Sequence, residues 1–265
     1  RATARWRMYP DFLIVGAQRC GTTSLFKTLR QHPNVVPPVL HKGVHYFDMH
    51  PDAGLSWYLG HFPTRATGRR VGGPDGSALT GESSPYYLFH PHGAARIAAT
   101  LPDVKALVLV RDPVARAHSA HAHESARGFE TLPFEDAIDQ EEARVSTDLA
   151  RMSVEEGFES FHVQHHAYVA RGQYAPQIER MAAALSREQV LVVDSGRLFT
   201  DPEPEVERVL RFLGLPVVPD LRYERHNARP RPSMDPALAS RLDEQFAASD
   251  AALTEWLGTT PSWRE

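Results

Sequence analysis

An apolar run, Phe12–Val15, ends in Gly16, and a helix start follows shortly after, at Thr22. No other stretch narrows the fold as much. A strand made only of apolar residues is buried on both faces, which points to a parallel sheet covered by helices. The link between strand and helix, "GAQRCGTTS" from Gly16 to Ser24, resembles a phosphate-binding loop. Gly21 permits a positive φ or close backbone approach. The amides of Thr22, Thr23 and Ser24 have no intrahelical acceptors and, with the helix dipole, suit an anion. Their hydroxyls add donors, and Arg19 adds fixed charge. A plain capped helix after a turn is the structural alternative. The Gly-Lys-Ser/Thr ending that serves metal-bound ATP is absent.

Two further apolar runs, Val104–Val110 and Gln189–Val193, read as buried strands. Helical patterns cover Thr22–Gln31, Gly93–Thr100, Pro113–Arg127, Phe134–Arg151, His162–Leu185, Glu203–Leu213 and Pro236–Leu257. Alternating strands and helices indicate an α/β, P-loop-type three-layer fold: a central, mostly parallel sheet flanked by helices. The 265 residues show no repeat or linker, so one domain over residues 1–265 is expected. Ligands of such sheets bind beyond the carboxyl ends of the strands. That rim would carry the first loop, Arg111 and the residues after Asp194.

The stretch "VRDPVARAHSAHAHE" supplies a second anion element. Arg111 ends a strand, Asp112 can cap the next helix, and Pro113 opens it. Ser119 lies about two helical turns beyond Arg111. Together Arg111 and Ser119 could hold a phosphate. The alternative pairs Arg111 with Asp112 or Asp194 and leaves Ser119 on a solvated face.

With both elements in place, the chain resembles the sulfotransferases that use 3'-phosphoadenosine 5'-phosphosulfate, of the carbohydrate and heparan-sulfate type with its bacterial relatives. The likeness continues through "HKGVHYFD", "GESSPYYLFHP", "YVARGQYAPQIERM" and "RHNARPRPSMDP", nearly the whole chain in order. It implies that Gln18, Arg19, Cys20, Gly21, Thr22, Thr23 and Ser24 hold the 5'-phosphosulfate. It also implies that Arg111 and Ser119 hold the 3'-phosphate, with Arg229 or Arg231 reaching a phosphate from a flap. The product nucleotide would be 3'-phosphoadenosine 5'-phosphate (PAP). The acceptor would be a hydroxyl on a carbohydrate, glycolipid or other small natural product.

The family's proposed base is a glutamate at the position of Gly43, and a common lysine is replaced by Ser83. His45 is the first replacement base, since an unperturbed imidazole near 6.5 suits neutral pH. Glu82 is the second and His41 the third. Lys42 is a candidate for the bridging oxygen of the donor. A nucleotide-binding protein without useful turnover is a competing reading, and a small-molecule kinase a more distant one.

Composition sets bounds. A net charge of -4 argues against a nucleic-acid surface. The single cysteine, Cys20, rules out an internal disulfide framework and suits a reducing compartment. No run approaches the ~20 apolar residues of a membrane span, and no signal peptide is visible. A cytoplasmic protein is expected, although a chain beginning without methionine leaves room for a lost leader. There is no HExxH pattern, and "HSAHAHE" misaligns its histidines, so no metal is expected. Trp57, Tyr58, Tyr86 and Tyr87 are assigned either to an acceptor pocket or to the core.

Overall fold

A computed structural model describes residues 3–72, 78–224, 226 and 233–265. Its centre is a four-stranded parallel sheet in the order β2-β1-β3-β4. The strands are β1 (Phe12–Gly16), β2 (Gly81–Ser83), β3 (Lys105–Val110) and β4 (Val190–Asp194). All of β1 is buried, and β3 is buried beyond its first residue, as strands covered on both faces require. Three of the four strands match the expected runs within one residue at each end.

The short strand β2 was not expected. Its sequence, "GES", carries no apolar pattern, yet all three residues are buried. Gly81 is needed there: a Cβ would sit 2.4 Å from the Phe12 carbonyl oxygen of β1.

Two expected helices are broken. The Phe134–Arg151 pattern divides at Gln140 into Phe134–Asp139 and Glu141–Val154. The His162–Leu185 pattern becomes Phe161–His165, a single 3-10 turn at Ala170–Gly172, and Tyr174–Ala184. The cause of the second break is visible. Buried Glu141 accepts the amides of Val169 and Ala170 at 2.6 and 2.8 Å, taking donors a continuous helix would use internally. The other expected helices stand within about two residues of their boundaries.

Candidate active site

Three strand-to-helix turns meet at one rim of the sheet. After β3, Asp112 caps the helix Pro113–Ala126, accepting from Val114 and Ala115 amides at 2.9 and 3.4 Å. After β4, Asp194 caps the next helix through Gly196 and Arg197 and also binds Ser262. After β1, helix α1 (Thr22–Leu29) has no side-chain cap; Gly21 occupies its N-cap at φ 90°. A helix start without a side-chain cap is the kind of place where amides and the helix dipole suit an anion. A side chain at Gly21 would intrude on the Phe199 ring at 3.0 Å.

Asp112 and Asp194, the two carboxylates considered as partners for Arg111, are occupied as caps. Among the described residues the Arg111 side chain has no hydrogen-bond or ion-pair partner, while its carbonyl accepts from buried Tyr174 at 2.8 Å. Ser119 is buried and accepts from Arg19 Nε at 3.2 Å. Arg19 thus reaches across from the first loop to the second anion element, rather than serving the 5' end alone. Its backbone lies in the left-handed region at φ 71°. Such strain in a non-glycine residue persists where surrounding structure enforces it, often at functional sites.

The remaining loop residues divide. Thr23 Oγ1 accepts from Lys42 Nζ at 2.8 Å, which draws Lys42 onto the helix start. Burial pulls the Lys42 ammonium down to about 8, against the attraction of Glu82. Ser24 Oγ accepts from the His226 amide at 2.9 Å, and Thr22 is buried. Gln18 Oε1 accepts from Arg171 at 2.6 Å. Cys20 departs from expectation. Its side chain is buried against Tyr174, its amide donates to Ala17 and its carbonyl accepts from Ser195, so each polar group already faces protein. The proposed flap arginines, Arg229 and Arg231, lie outside the described residues.

His45 and Glu82 occupy very different surroundings. The His45 side chain is 35 % exposed, with Nδ1 at 2.8 Å from Oδ2 of buried Asp48. A carboxylate accepts only, so Nδ1 carries the proton and Nε2 presents a lone pair. Burial works against the imidazolium, but the Asp48 hydrogen bond and charge outweigh it, and the pKa is raised. The His45 backbone, at φ 55°, is pinned by its amide to Ser84 Oγ at 3.0 Å. Glu82 is fully buried and receives four donors. Val44 N and Ser84 Oγ reach Oε2 at 2.6 and 2.7 Å; Tyr87 and Tyr58 hydroxyls reach Oε1 at 2.9 and 3.0 Å. Burial nonetheless raises its pKa. Tyr58 and Tyr87 are therefore core residues holding Glu82, and Tyr86 is buried too; of the four named aromatics only Trp57 is partly exposed. His41 packs 6.4 Å from the His61 ring.

Gly43 has a packing reason. A Cβ there would lie 2.6 Å from the Ser83 carbonyl oxygen, while the Ser83 amide donates to Lys42 O at 2.9 Å. A side chain at position 43 would push the Lys42–His45 segment off β2. Gly43→Ala is expected to lower stability by about 1–3 kcal/mol, as overpacking does. Thermal unfolding reads this, and an unchanged midpoint would count against the tight packing.

Sequence reasoning missed Asp48 and Ser84, and named Tyr87 without its hold on Glu82. Asp48 had a legible signal, because histidine and aspartate sit three apart in "HYFD". Of the histidines of "HSAHAHE", His118 and His121 pack on Phe134; no group of three metal-binding side chains is found among the described residues.

A sulfotransferase domain profile matches residues 9–230. The chain belongs to the sulfotransferase family. This sulfotransferase is 31 % identical over 214 residues to the Mus musculus heparan sulfate glucosamine 3-O-sulfotransferase 6, covering 79 % of this chain and 53 % of that protein. Its Homo sapiens counterpart is 29 % identical over 286 residues, covering 97 % and 74 %. The sulfotransferase thus spans about half the length of the first relative. The crystal structure of a sulfotransferase from Alicyclobacillus acidocaldarius is 33 % identical, with a TM-score of 0.71 over 97 % of this chain and 100 % of that one. Among the described residues no helix is long and apolar enough to cross a membrane.

Proposed function

We propose that this protein transfers a sulfuryl group from 3'-phosphoadenosine 5'-phosphosulfate to an acceptor hydroxyl, with His45 as the base. The observation that carries this reading is the pairing of an uncapped helix start at Thr22–Ser24 with, on the same rim, an Arg111 side chain that has no hydrogen-bond or ion-pair partner among the described residues. Those residues fit a nucleotide bearing two anionic groups. The donor supplies an activated sulfuryl group on a phosphate leaving group. Thr22, Thr23 and Ser24 amides, with Lys42, would hold the 5' end. Arg111 and Ser119 would hold the 3'-phosphate, and Arg19, hydrogen-bonded to Ser119, would serve both ends. Lys42 beside Thr23 puts positive charge where the leaving oxygen gains negative charge, which lowers the barrier.

His45 would take the acceptor proton at Nε2 while Asp48 steadies the ring through Nδ1. Glu82 would hold the Lys42–Tyr46 segment and stay out of proton transfer, because its oxygens are occupied and buried. The supply of a base at His45 favours turnover over nucleotide binding alone, despite Gly43. The names of the heparan sulfate relatives support a carbohydrate hydroxyl as acceptor.

Calorimetry with PAP and ATP tests the donor site. PAP should bind and ATP should not compete at equal concentration. Arg111→Ala should weaken PAP by about 1.5–3 kcal/mol, the usual worth of hydrogen bonds to a charged group. That is about 10- to 150-fold in Kd. Tight ATP binding with no PAP binding would sink the assignment. A radiolabel transfer assay over a panel of carbohydrate and small hydroxylated acceptors tests turnover.

A further inference from the structure

We propose that Arg171 is a positioning residue that ties the donor loop to the wall beside His45, so that both halves of the site keep one spacing; this rests on the sulfotransferase reading above. Arg171 is only 4 % exposed and has no carboxylate within ion-pair distance among the described residues. A guanidinium in that state costs desolvation free energy that an apolar side chain would avoid. Its contacts indicate what the cost sustains. Nη1 donates to Gln18 Oε1 of the donor loop at 2.6 Å. Nη2 donates to the carbonyls of Val163 and Gln164 at 3.0 and 2.7 Å.

The two ends of this fork belong to different parts of the site. Gln18 sits in the turn between β1 and α1. Val163 and Gln164 belong to the helix Phe161–His165. Gln164 Nε2 in turn contacts Met49 Sδ at 3.4 Å. Met49 is fixed to the base pair, since its amide donates to Asp48 Oδ1 at 2.6 Å and to His45 O at 3.2 Å. The guanidinium also lies 4.6 Å from the centroid of Tyr86 and 5.0 Å from that of Phe89. Those rings flank Tyr87, whose hydroxyl receives the Tyr46 amide at 2.8 Å. One planar fork therefore touches the donor loop, the Phe161–His165 wall and the segment under His45. In-line transfer depends on holding donor and acceptor groups at a fixed separation, and small misplacements are costly. A lysine keeps the charge but has a single ammonium that cannot reproduce the fork.

The test is a double-mutant cycle of wild type, Gln18→Leu, Arg171→Lys and the double variant. Gln18→Leu cuts the link at the loop and leaves every core contact of Arg171 in place, so it does not depend on a folded Arg171 variant. Turnover is read on the panel acceptor that wild type sulfates, and PAP affinity by calorimetry. Each single variant should lose more than about tenfold in kcat; PAP Kd should stay within about threefold in Arg171→Lys, which lies outside the residues assigned to the nucleotide, the separation expected of lost orientation. The double variant should be no worse than the weaker single one. Unchanged kcat in Gln18→Leu, additive losses, or PAP affinity falling in step with kcat in Arg171→Lys would overturn the proposal. If wild type sulfates no panel acceptor, amide exchange decides. PAP should slow exchange over residues 161–168 in wild type and not in Gln18→Leu; equal protection in both, or none in wild type, overturns the coupling. Failure of wild type to bind PAP at all is a different result and removes the donor-site reading itself.

Discussion

Replacing His45 with asparagine is expected to slow sulfuryl transfer by about 10²–10⁴-fold, the usual contribution of a positioned general base. Asparagine preserves size and can still donate to Asp48, so the loop should keep its shape. PAP affinity should stay within about threefold, because the loss falls on the transition state rather than on donor binding. The pH profile of kcat/KM gives the second half of this expectation. His45 must be neutral to accept a proton, and Asp48 raises its pKa above the ordinary 6.5. Activity should therefore climb with pH through a limb above 6.5. Lys42 must stay charged to stabilise the leaving oxygen, and burial brings it to about 8. Activity should fall again as pH passes that value. His45→Asn should remove the rising limb, and Lys42→Arg should move the falling limb to higher pH. A rising limb that survives in His45→Asn would show that another group removes the proton. The same raised pKa makes a stability statement. The ion pair with Asp48 contributes fully below the unfolded value near 6.5 and is lost as pH rises through the folded value.

Glu82→Ala is expected to cause a large loss of stability. The substitution strips the partner from four donors: Val44 N, Ser84 Oγ, Tyr58 OH and Tyr87 OH. Each buried donor left unsatisfied costs about 1–3 kcal/mol. Relaxation and added water reduce the sum, yet about 4 kcal/mol is a reasonable net loss against a typical total of 5–15 kcal/mol. For a chain of this size that is about 10 °C in midpoint. Glu82→Gln separates a holding role from a base. The glutamine oxygen can face Val44 and Ser84 while its amide donates to the two tyrosine hydroxyls, which can also accept. The variant should therefore stay folded and keep turnover within about tenfold of wild type, far less than removal of a base costs. A loss of 10³-fold or more in a fully folded Glu82→Gln would return proton transfer to Glu82.

Much of the framework could be read along the chain. The three long apolar runs became β1, β3 and β4 because buried parallel strands announce themselves by unbroken hydrophobicity. Asp112 before Pro113 marked a helix start that the structure repeats. The broken patterns show the opposite case. Nothing local to His162–Leu185 signals that Glu141, far away in sequence, would take the Val169 and Ala170 amides. Strand β2 was hidden for a similar reason: "GES" looks like a loop until Glu82 finds four donors from three other segments.

The sequence by itself determined the strand, turn and helix start at the rim proposed to hold the donor. A strand, a glycine-bearing turn and a helix start are local features, and their chemistry follows from neighbouring residues. Only the tertiary structure decided the roles around the acceptor. Whether a carboxylate can accept a proton depends on burial and on donors brought in from elsewhere, which divides Glu82 from the His45–Asp48 pair. Whether position 43 can bear a side chain depends on the Ser83 carbonyl 2.6 Å from where a Cβ would stand. The contacts of Glu82 with Val44 and Tyr58, and of position 43 with Ser83, join segments distant in the chain, and local sequence carries no record of them.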